Sequence, residues 1–514
     1  MDLMLRTTQK LQGYVPLLMH ERPEKVIQIG FGSGETSGIG LAFGVEDYRI
    51  VEVCPEVFEA GRYFKDINRG SYNDPRLTRV IMDGKNFIKL SAERFDIIMN
   101  DSTYPGTTGS SALYTYDHFL ACREHLRDGG VLSCWLPLDL RIEDFRIILR
   151  SFQKAMPYCS LWMANNCLNK HAVLVGTAGP TQIDMARAVR FMERPEIRAD
   201  LDAINMRNVY DLLDCFVADA YALRRMAGAG PVNTDDKPRL EFGAPIKRDE
   251  ESCLLMVMRD LAKYHSPVGQ HVANPGAGRD SPEVARERLD RYYRGTGHTL
   301  RGLVAMLEGD AEGMKQQFQA AMAANPLDRD VASCMAELEA EVASLAAAVE
   351  RSPGNPTLRS RLARRYFLLE DYARAADHYA VFVGLEPSSV AAWNNLGIAY
   401  SRLKQFGEAV EAFRQAIRQD PQMHSAHYNL GTAQMSMGEY EASMRSFEAA
   451  LAHCGPDGQL RVYERMAMCY SLGGRYGRAV EMIDRALELA PRNSAFAEHL
   501  KGQRRNLLRV LPGQ

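Results

Sequence analysis

A chain of 514 residues is too long for one ordinary hydrophobic core, so its length predicts two or three domains. Its hydrophobic content of 46% and charged content of 25% are typical of globular proteins. The formal net charge of -3 excludes a strong global field of the kind that favours nucleic acid or an acidic membrane, so we expect no nucleic-acid partner.

Cysteine and histidine usage gives no sign of a metal centre. The ten cysteines are scattered without a Cys-x-x-Cys pair, which argues against a disulfide framework and a zinc knuckle, and the twelve histidines show no ligand spacing. No metal is therefore assigned. No apolar run approaches the ~20 residues that span a bilayer. We expect no membrane segment in this chain and a cytoplasmic location, or a role as the cytoplasmic part of a longer membrane-anchored protein.

From about residue 24 to 178, short β-rich runs alternate with helical patterns. This alternation predicts a mostly parallel sheet with helices on both faces, the α/β architecture of Rossmann-like domains. The helix predicted over 116–129 should end with Gly129 and Gly130 as its C-cap. The runs predicted as strands are KVIQIG, YRIVEV, LTRVIMD, FDIIMND, GVLSCWLP and HAVLVG.

After residue 178 strand-like runs no longer alternate with helical patterns. Residues 182–228 are predicted to be helical, and the Gly-, Pro- and Asp-rich segment 266–283 is the best linker candidate. The chain is therefore divided into a first domain over 1–245, a helical or loop linker over 246–296 and a third region over 297–514.

The third region repeats itself. Its segment WNNLGIAYSRLKQFGEAVEAFRQAIRQDP has the small and large residues of a tetratricopeptide (TPR) repeat, in which small residues let two antiparallel helices approach and large ones fill the gaps. About five to six repeats predict an all-α solenoid with a protein or peptide partner on its concave face. Asn394, Asn395 and Asn429 are candidates to clamp a peptide backbone there. Prolines recur every 34 or 35 residues, at Pro353, Pro387, Pro421, Pro456 and Pro491.

The stretch IGFGSGETSG follows the first predicted strand and contains Gly30, Gly32 and Gly34. Glycines at alternate positions after a strand indicate that the backbone passes close to a ligand. The G-x-G-x-G spacing, with Ser33 inside it, differs from the dinucleotide loop G-x-G-x-x-G. It fits better a loop that accommodates the arm of an adenosyl sulfonium donor.

Acidic residues close three successive predicted strands. Glu52 lies 22 residues after Gly30, where an acid can accept both hydroxyls of a ribose. Asp83, which Gly84 follows, is in position to meet an adenine edge, and Asp101 closes the fourth strand. Each acid alone is typical of a helix cap or turn. Together, beside the glycine loop, they favour a nucleoside site.

These motifs, in this order between residues 8 and 140, resemble the core of the spermidine synthases, the polyamine aminopropyltransferases. The segment NTDDKPRLEF is similar to a bacterial subgroup in which this domain is fused to membrane helices and often to TPR repeats. The resemblance implies a Rossmann-like fold of the class I methyltransferase and spermidine synthase type. It also implies that Glu52 holds the ribose, Asp83 the adenine amine, and that Asp101 is the catalytic carboxylate.

The activity implied is transfer of an aminopropyl or related alkyl group to a small amine. The donor would be decarboxylated S-adenosylmethionine or S-adenosylmethionine. The chain departs from the family pattern at two positions: Ser33 replaces an Asp that binds the donor ammonium, and Tyr104 replaces the second carboxylate of a D-x-x-D pair. Tyr114 has a packing interpretation of equal weight. The substrate-side candidates are Gln9, Tyr104, Tyr114, Asp235 and Asp236.

Two other functions are open on the sequence alone. Because Ser33 gives less reason to exclude the carboxylate of ordinary S-adenosylmethionine, a methyltransferase on the same fold is one alternative. The other is a catalytically degenerate nucleoside-binding scaffold that acts through its TPR repeats.

Overall fold

The computed structural model describes residues 3–107, 109–165, 168–242, 250–276, 280–327, 329–490 and 495–510. The chain forms two compact units, residues 1–337 and 338–514. The division into 1–245, 246–296 and 297–514 follows the repeat pattern instead, and we keep it as a proposal about separately folding parts.

Unit 1 contains all the strands found in the described residues. They are β1 (Lys25–Ile29), β2 (Asp47–Glu52), β3 (Leu77–Ile81), β4 (Phe95–Asn100), β5 (Leu126–Pro137), β6 (Tyr158–Trp162), β7 (His171–Thr177), β8 (Ile183–Asp184), β9 (Phe216–Asp219) and β10 (Val272–Ala273). Eight form one sheet in the order β3-β2-β1-β4-β5-β7-β6-β9. β1 to β5 pair in parallel, whereas β7 runs antiparallel to β5 and β6. All six predicted strands are present.

Helices flank this sheet, and every residue of the central strand β4 is buried, so both of its faces are covered. The predicted α/β class is thereby confirmed. The helices are α1 (Leu3–Met19), α2 (Glu35–Phe43), α3 (Pro55–Ala60), α4 (Lys65–Asn68), α5 (Gly84–Leu90), α6 (Tyr116–Glu124), α7 (Ile142–Ala155), α8 (Met185–Glu193), α9 (Pro195–Asp202), α10 (Val209–Asp214), α11 (Ala220–Ala227), α12 (Arg239–Phe242), α13 (Glu250–Tyr264), α14 (Pro282–Glu308), α15 (Ala311–Ala324) and α16 (Asp330–Arg351), the last of which crosses the unit boundary.

The structure corrects two predictions. The region 182–228 contains β8 and β9 as well as helices, because strands of two and four residues are too short to show an alternating pattern. Helix α6 ends at Glu124, not at Gly129: the ring of His125 donates to the carbonyl of Ala121 at 2.7 Å, and β5 starts at once. Gly129 and Gly130 instead lie in β5, where its register with β4 shifts.

The strand order reverses between β1 and β4. From β1 the chain proceeds outward through β2 and β3, and β4 then returns to the other side of β1. In open α/β sheets ligands bind at such a switch point, outside the carboxyl ends of the strands. The end of β1 leads into the glycine loop and the end of β4 into Asp101, so these two of the predicted site elements lie at the switch point.

Unit 2 consists of helix pairs, as the repeat pattern predicts. In two pairs a glycine on the first helix faces a phenylalanine on the second: a Cβ added to Gly397 or Gly431 would approach the ring of Phe413 or Phe447 to 2.6 or 2.8 Å. These glycines therefore permit the close approach of the paired helices. The helices are α17 (Pro356–Leu368), α18 (Tyr372–Leu385), α19 (Val390–Arg402), α20 (Phe406–Gln419), α21 (His424–Ser436), α22 (Tyr440–His453), α23 (Pro456–Leu472), α24 (Tyr476–Leu489) and α25 (Ala495–Val510).

The repeated prolines lie between the pairs. The carbonyls of Pro353, Pro387 and Pro421 each accept a hydrogen bond from the side chain six residues later, those of Arg359, Trp393 and His427. Pro456 differs, because it occupies the first turn of α23. Pro491 lies outside the described residues.

We predict that Gly30→Ala destabilises unit 1 far more than Gly44→Ala. Both glycines have positive φ, but an added Cβ at Gly30 would lie 2.3 Å from the carbonyl oxygen of Asp101, whereas at Gly44 nothing lies within 4 Å. We expect Gly44→Ala to cost ~1–2 kcal/mol of unfolding free energy, the cost of the left-handed conformation alone, and Gly30→Ala clearly more. Urea denaturation read by hydrogen exchange in β1 and β4 measures both; equal losses would contradict the predicted clash.

Candidate active site

The glycine loop connects β1 to α2 at the switch point. Gly30, Gly32 and Gly34 have φ of 91°, 56° and 81°, a region that side chains disfavour. The amide of Asp101 donates to the carbonyl of Ile29 at 2.9 Å, so the first residue after β4 lies directly against the start of the loop. The loop and Asp101 are thereby held together by backbone contacts.

Glu52, at the end of β2, turns its carboxylate toward the loop. One oxygen accepts from the amide of Phe31 and the other from the amide of Cys54, both at 3.0 Å. A carboxylate oxygen has two acceptor positions, so each oxygen can still accept a ribose hydroxyl. The structure therefore brings Glu52 to the loop in an orientation that two backbone amides hold.

Asp83 and Gly84 lie at the next strand end. Asp83 is exposed and caps α5, since one of its oxygens accepts from the amide of Asn86 at 2.8 Å. Gly84 permits α5 to pack against β1, because an added Cβ would lie 2.3 Å from the side chain of Ile29. Gly84 thus lies against the end of β1, and the second oxygen of Asp83 is available beyond its capping role.

Asp101 is held by polar side chains that the sequence analysis did not identify. One carboxylate oxygen accepts from the amide of Gln28 and from the hydroxyl of Thr36, both at 3.2 Å. Gln28 also donates to the carbonyl of Gly30 at 2.8 Å and accepts from the hydroxyl of Tyr48 at 2.9 Å. A signal for this network was visible: Gln28 is the polar residue inside the apolar run VIQI.

This environment alters the protonation of Asp101. Its surroundings exclude most water, and desolvation raises its pKa from 3.8 to about 6, although the hydrogen bonds from Thr36 and Gln28 act to lower it. A carboxyl group with a pKa near 6 is ionised at neutral pH and is more basic than an ordinary aspartate. It can therefore accept a proton from a bound amine more readily.

Ser33 and Gln9 meet at the loop. The Ser33 hydroxyl donates to the side-chain oxygen of Gln9 at 3.3 Å, which links α1 to the loop. Glu35, in the first turn of α2, is buried; desolvation raises its pKa, and Arg6, 3.7 Å away, acts to lower it. Arg6 and Glu35 are further residues near the loop, and the sequence analysis assigned no role to Arg6.

The two tyrosine candidates bond to other parts of unit 1, and the Tyr114 hydroxyl also accepts from the hydroxyl of Ser102, next to Asp101, at 3.3 Å. The hydroxyl of Tyr104 donates to the carbonyl of Asp139 at 3.3 Å. Tyr114 is fully buried, and its hydroxyl donates to the carbonyl of Trp135 at 3.1 Å, which agrees with the packing interpretation.

The two acids of the segment NTDDKPRLEF bond to side chains outside the glycine loop. Asp235 forms ion pairs with Lys85 and Lys89; although desolvation acts to raise it, hydrogen bonds from these lysines and Thr115 lower its pKa to about 2. Asp236 is exposed and accepts from the hydroxyl of Thr234 at 2.6 Å. Asp235 is therefore neutralised by lysines and is poorly suited to bind a further cation.

Comparisons with known proteins agree with this architecture. Residues 7–165 match the spermine/spermidine synthase domain family, and residues 390–423 and 422–492 match tetratricopeptide repeat families. The chain is 36% identical over 152 residues to the polyamine aminopropyltransferase of Pectobacterium atrosepticum (28% of this chain, 53% of that protein) and 36% identical over 172 residues to that of Serratia proteamaculans (31% and 60%). It thus spans about half the length of the curated relatives that it matches.

Among solved structures, a spermidine synthase in complex with the transition state analogue AdoDATO is similar, with a TM-score of 0.33 and 22% identity over 51% of this chain and 76% of that one. By the family matches, the N-terminal part of the chain is similar to the spermine/spermidine synthase domain, and the later part is similar to TPR repeats. No helix in the described ranges is both long and apolar enough to cross a membrane. Within the same ranges, no group of three His, Cys, Asp or Glu residues could hold a metal ion.

We predict that Asp101→Asn stabilises unit 1 at pH 8. Because the pKa of Asp101 is raised in the folded state, the native protein loses stability as the pH rises from about 4 through 6 and this carboxyl ionises. Asparagine avoids that cost. Two pH units set an upper limit of ~3 kcal/mol, and partial solvent contact reduces the expected gain to about 1–2 kcal/mol.

Asp235→Asn is the control of opposite sign. In the unsubstituted protein the pKa of Asp235 is lowered in the folded state. The stabilising effect of this carboxylate is therefore present above the unfolded pKa of 3.8 and is lost as the pH falls through about 2. We expect Asp235→Asn to destabilise unit 1 at pH 8. Urea denaturation at pH 4 and 8 measures both variants, and a destabilised Asp101→Asn at pH 8 would contradict the assigned cost of burial.

Proposed function

We propose that the first part of this chain is a spermidine synthase-like transferase, which moves an aminopropyl or related alkyl group from an S-adenosyl sulfonium donor to an amine. The observation that supports it most is the position of Asp101, a carboxylate of raised pKa that adjoins a glycine loop at the switch point. In the same proposal the TPR repeats bind a protein partner.

The proposed donor contacts come from residues at the carboxyl ends of β1, β2 and β3. Glu52, oriented by the amides of Phe31 and Cys54, accepts the two ribose hydroxyls. Asp83 contributes its second oxygen to the adenine amine, and the backbone of Gly30 to Gly34 accommodates the sulfonium arm. These contacts fix the donor beside Asp101, and such positioning supplies much of the catalysis because a sulfonium is already a good leaving group.

The proposed reaction is a displacement at the carbon next to the sulfonium. The amine nitrogen forms a bond to that carbon while the carbon–sulfur bond breaks. The electron pair of the broken bond stays on sulfur, so the sulfonium leaves as a neutral thioether. Asp101 orients the acceptor amine and takes the proton that the nitrogen releases. Gln28 and Thr36, which donate to one oxygen of Asp101, act as positioning residues that leave the other oxygen for the amine.

The acceptor side favours an amine without a second positive charge. Tyr104 supplies a hydroxyl where the family has its second acceptor carboxylate, and Asp235 is paired with lysines. The missing charge-assisted hydrogen bond, ~1.5–3 kcal/mol, would weaken a dication such as putrescine about tenfold or more. We therefore propose a monoamine, or an amine with an uncharged far end.

Ser33 also supports a second candidate, methyl transfer from S-adenosylmethionine. Its hydroxyl, bonded to Gln9, does not repel the carboxylate of an amino-acid arm as an aspartate would. The guanidinium of Arg6, near the same loop, is of the sign that attracts a carboxylate. The two candidates differ in the donor that binds.

Isothermal titration with S-adenosylmethionine, its decarboxylated form and methylthioadenosine tests the nucleoside site. We expect Glu52→Gln to weaken all three by at least tenfold, because its amide can no longer accept from both backbone amides. Glu46→Gln, an exposed glutamate before the other end of β2, is the matched control. Tight binding of only the decarboxylated donor supports aminopropyl transfer, and binding of none would reduce this domain to a scaffold.

Asp101→Asn should lower kcat/KM at least a hundredfold while leaving donor affinity within threefold, since it removes the proton acceptor but not the ribose contacts. In the unsubstituted protein kcat should rise with pH up to about 6 and then level off, as Asp101 ionises. Transfer from each donor to monoamines and putrescine is followed by mass spectrometry. Asp128→Asn, exposed at the start of β5, is the control; unchanged turnover in Asp101→Asn would refute the role of this carboxylate.

A further inference from the structure

Trp135 lies near the carboxyl end of β5 and is not fully covered by the chain. Every other residue of 130–137 is buried, whereas Trp135 is half-buried. Its neighbours Cys134 and Leu136 are completely buried, and an indole has more apolar surface to bury than either of them. Because ligands of such sheets bind at the carboxyl ends of the strands, this uncovered part of Trp135 is a candidate for contact with a ligand.

Trp135 projects from the same face of the sheet as Asp101. Gln28 of β1 is paired with Met99 of β4, and Met99 is paired with Ser133 of β5, so these three side chains share one face. Gln28 bonds to the carboxylate of Asp101 on that face. Trp135 follows Ser133 by two residues, and side chains two residues apart in a strand point to the same side. The indole and the proposed proton acceptor therefore lie at the same end of the same face.

Helix α1 packs on this face. Gln12 of α1 donates to the hydroxyl of Ser133 at 3.2 Å. One turn earlier in α1, Gln9 accepts from the hydroxyl of Ser33 in the glycine loop at 3.3 Å. The glycine loop and this part of β5 are thus joined to one helix.

His171 places a second ring beside Trp135. It is the first residue of β7, which runs antiparallel to β5 with Val173 opposite Trp135, so both rings lie at the same edge and on the same face. The ring centroids are 5.2 Å apart and the planes are inclined by 35°. His171 is half-buried as well, and its amide donates to the side-chain oxygen of Asn169 at 3.0 Å, an oxygen that also accepts from Thr8 of α1 at 3.4 Å. We call Trp135 and His171 the aromatic pair.

The charged residues nearest to the aromatic pair in the sequence have opposite signs. Lys170 directly precedes His171, and Asp139 lies two residues after the end of β5. One cation and one anion give no net preference for a ligand with a second ammonium group. Aromatic rings, by contrast, bind other rings in offset or edge-to-face arrangements, which gives the pair a preference of its own.

We propose that the aromatic pair is the acceptor-binding surface of the transferase, and that the acceptor is a primary amine with an aromatic body. This inference rests on the proposed function, whose acceptor class it narrows. The amine nitrogen lies at Asp101, and the ring of the acceptor packs on the indole of Trp135. Because this contact is remote from the reacting nitrogen and is the same before and during the reaction, it lowers KM and leaves kcat nearly unchanged.

Isothermal titration of the full chain with three amines tests the proposal, with and without methylthioadenosine. The probes are phenethylamine, n-propylamine and putrescine. Phenethylamine and n-propylamine present the same primary amine, so the difference between them measures the contribution of the ring. We expect phenethylamine to bind at least tenfold more tightly than either of the other two.

Substitutions of Trp135 locate the contact. Trp135→Ala should weaken phenethylamine at least tenfold and n-propylamine less than threefold, whereas Trp135→Phe keeps an aromatic face and should stay within threefold of the unsubstituted protein for both. Trp393→Ala, which removes a half-buried tryptophan of unit 2, is the matched control and should change neither. Circular dichroism and urea denaturation check the fold. If Trp135→Ala does not fold, Trp135→Leu is measured instead, with the same expected order of the two amines.

Transfer to each amine, followed by mass spectrometry, separates this inference from the proposed function. Transfer with equal KM for phenethylamine and n-propylamine would overturn the inference and leave the transferase in place. Absence of transfer to any amine, with the preference for phenethylamine intact in the titrations, would refute the transferase and leave the aromatic surface as a binding site.

Two further results would contradict the inference. Equal weakening of phenethylamine and n-propylamine in Trp135→Ala would show that the indole acts on the fold and not on the ring of the acceptor. Tightest binding of putrescine, lost in Asp139→Asn, would assign this edge of the sheet to a diamine.

Discussion

The contact between the ends of β1 and β4 is the constraint on which the candidate site depends. The carbonyl of Asp101 lies where a side chain on Gly30 would have to be, and the Asp101 amide is bonded to Ile29. Gln28 then joins both strand ends from within the core. Because of this junction the glycine loop and Asp101, the proposed proton acceptor, cannot move independently. The other proposed donor residues, Glu52 and Asp83, lie at the ends of β2 and β3.

The strands of the sheet, the glycine loop and the repeats could largely be predicted from the sequence, because each depends on local signals. Buried parallel strands are continuous apolar runs, and a glycine loop after such a run has few structural explanations. The repeats were recognisable because each Gly–Phe contact recurs at a fixed spacing. Strands β6, β8, β9 and β10 were not recognised; β8 and β10 have two residues each and β9 has four, too few to show a pattern.

What the sequence could not show depends on neighbours far along the chain. Asp235 was a reasonable candidate to bind an amine, but Lys85 and Lys89, about 150 residues earlier, neutralise it. Tyr114 was equally compatible with packing and with substrate contact until its hydroxyl was seen to bond to Trp135. Such outcomes depend on tertiary pairing, for which neither spacing nor composition carries a signal.

The contrast between the two aspartates bears on function. Asp235 is stabilised by its ion pairs, so its presence is explained by stability alone. Asp101 is different: desolvation makes its ionised form costly, and an asparagine could accept the same two hydrogen bonds from Gln28 and Thr36. A protein that needed only a nucleoside-binding scaffold would gain stability by that substitution. A costly carboxylate at the switch point is more readily explained by chemistry than by folding.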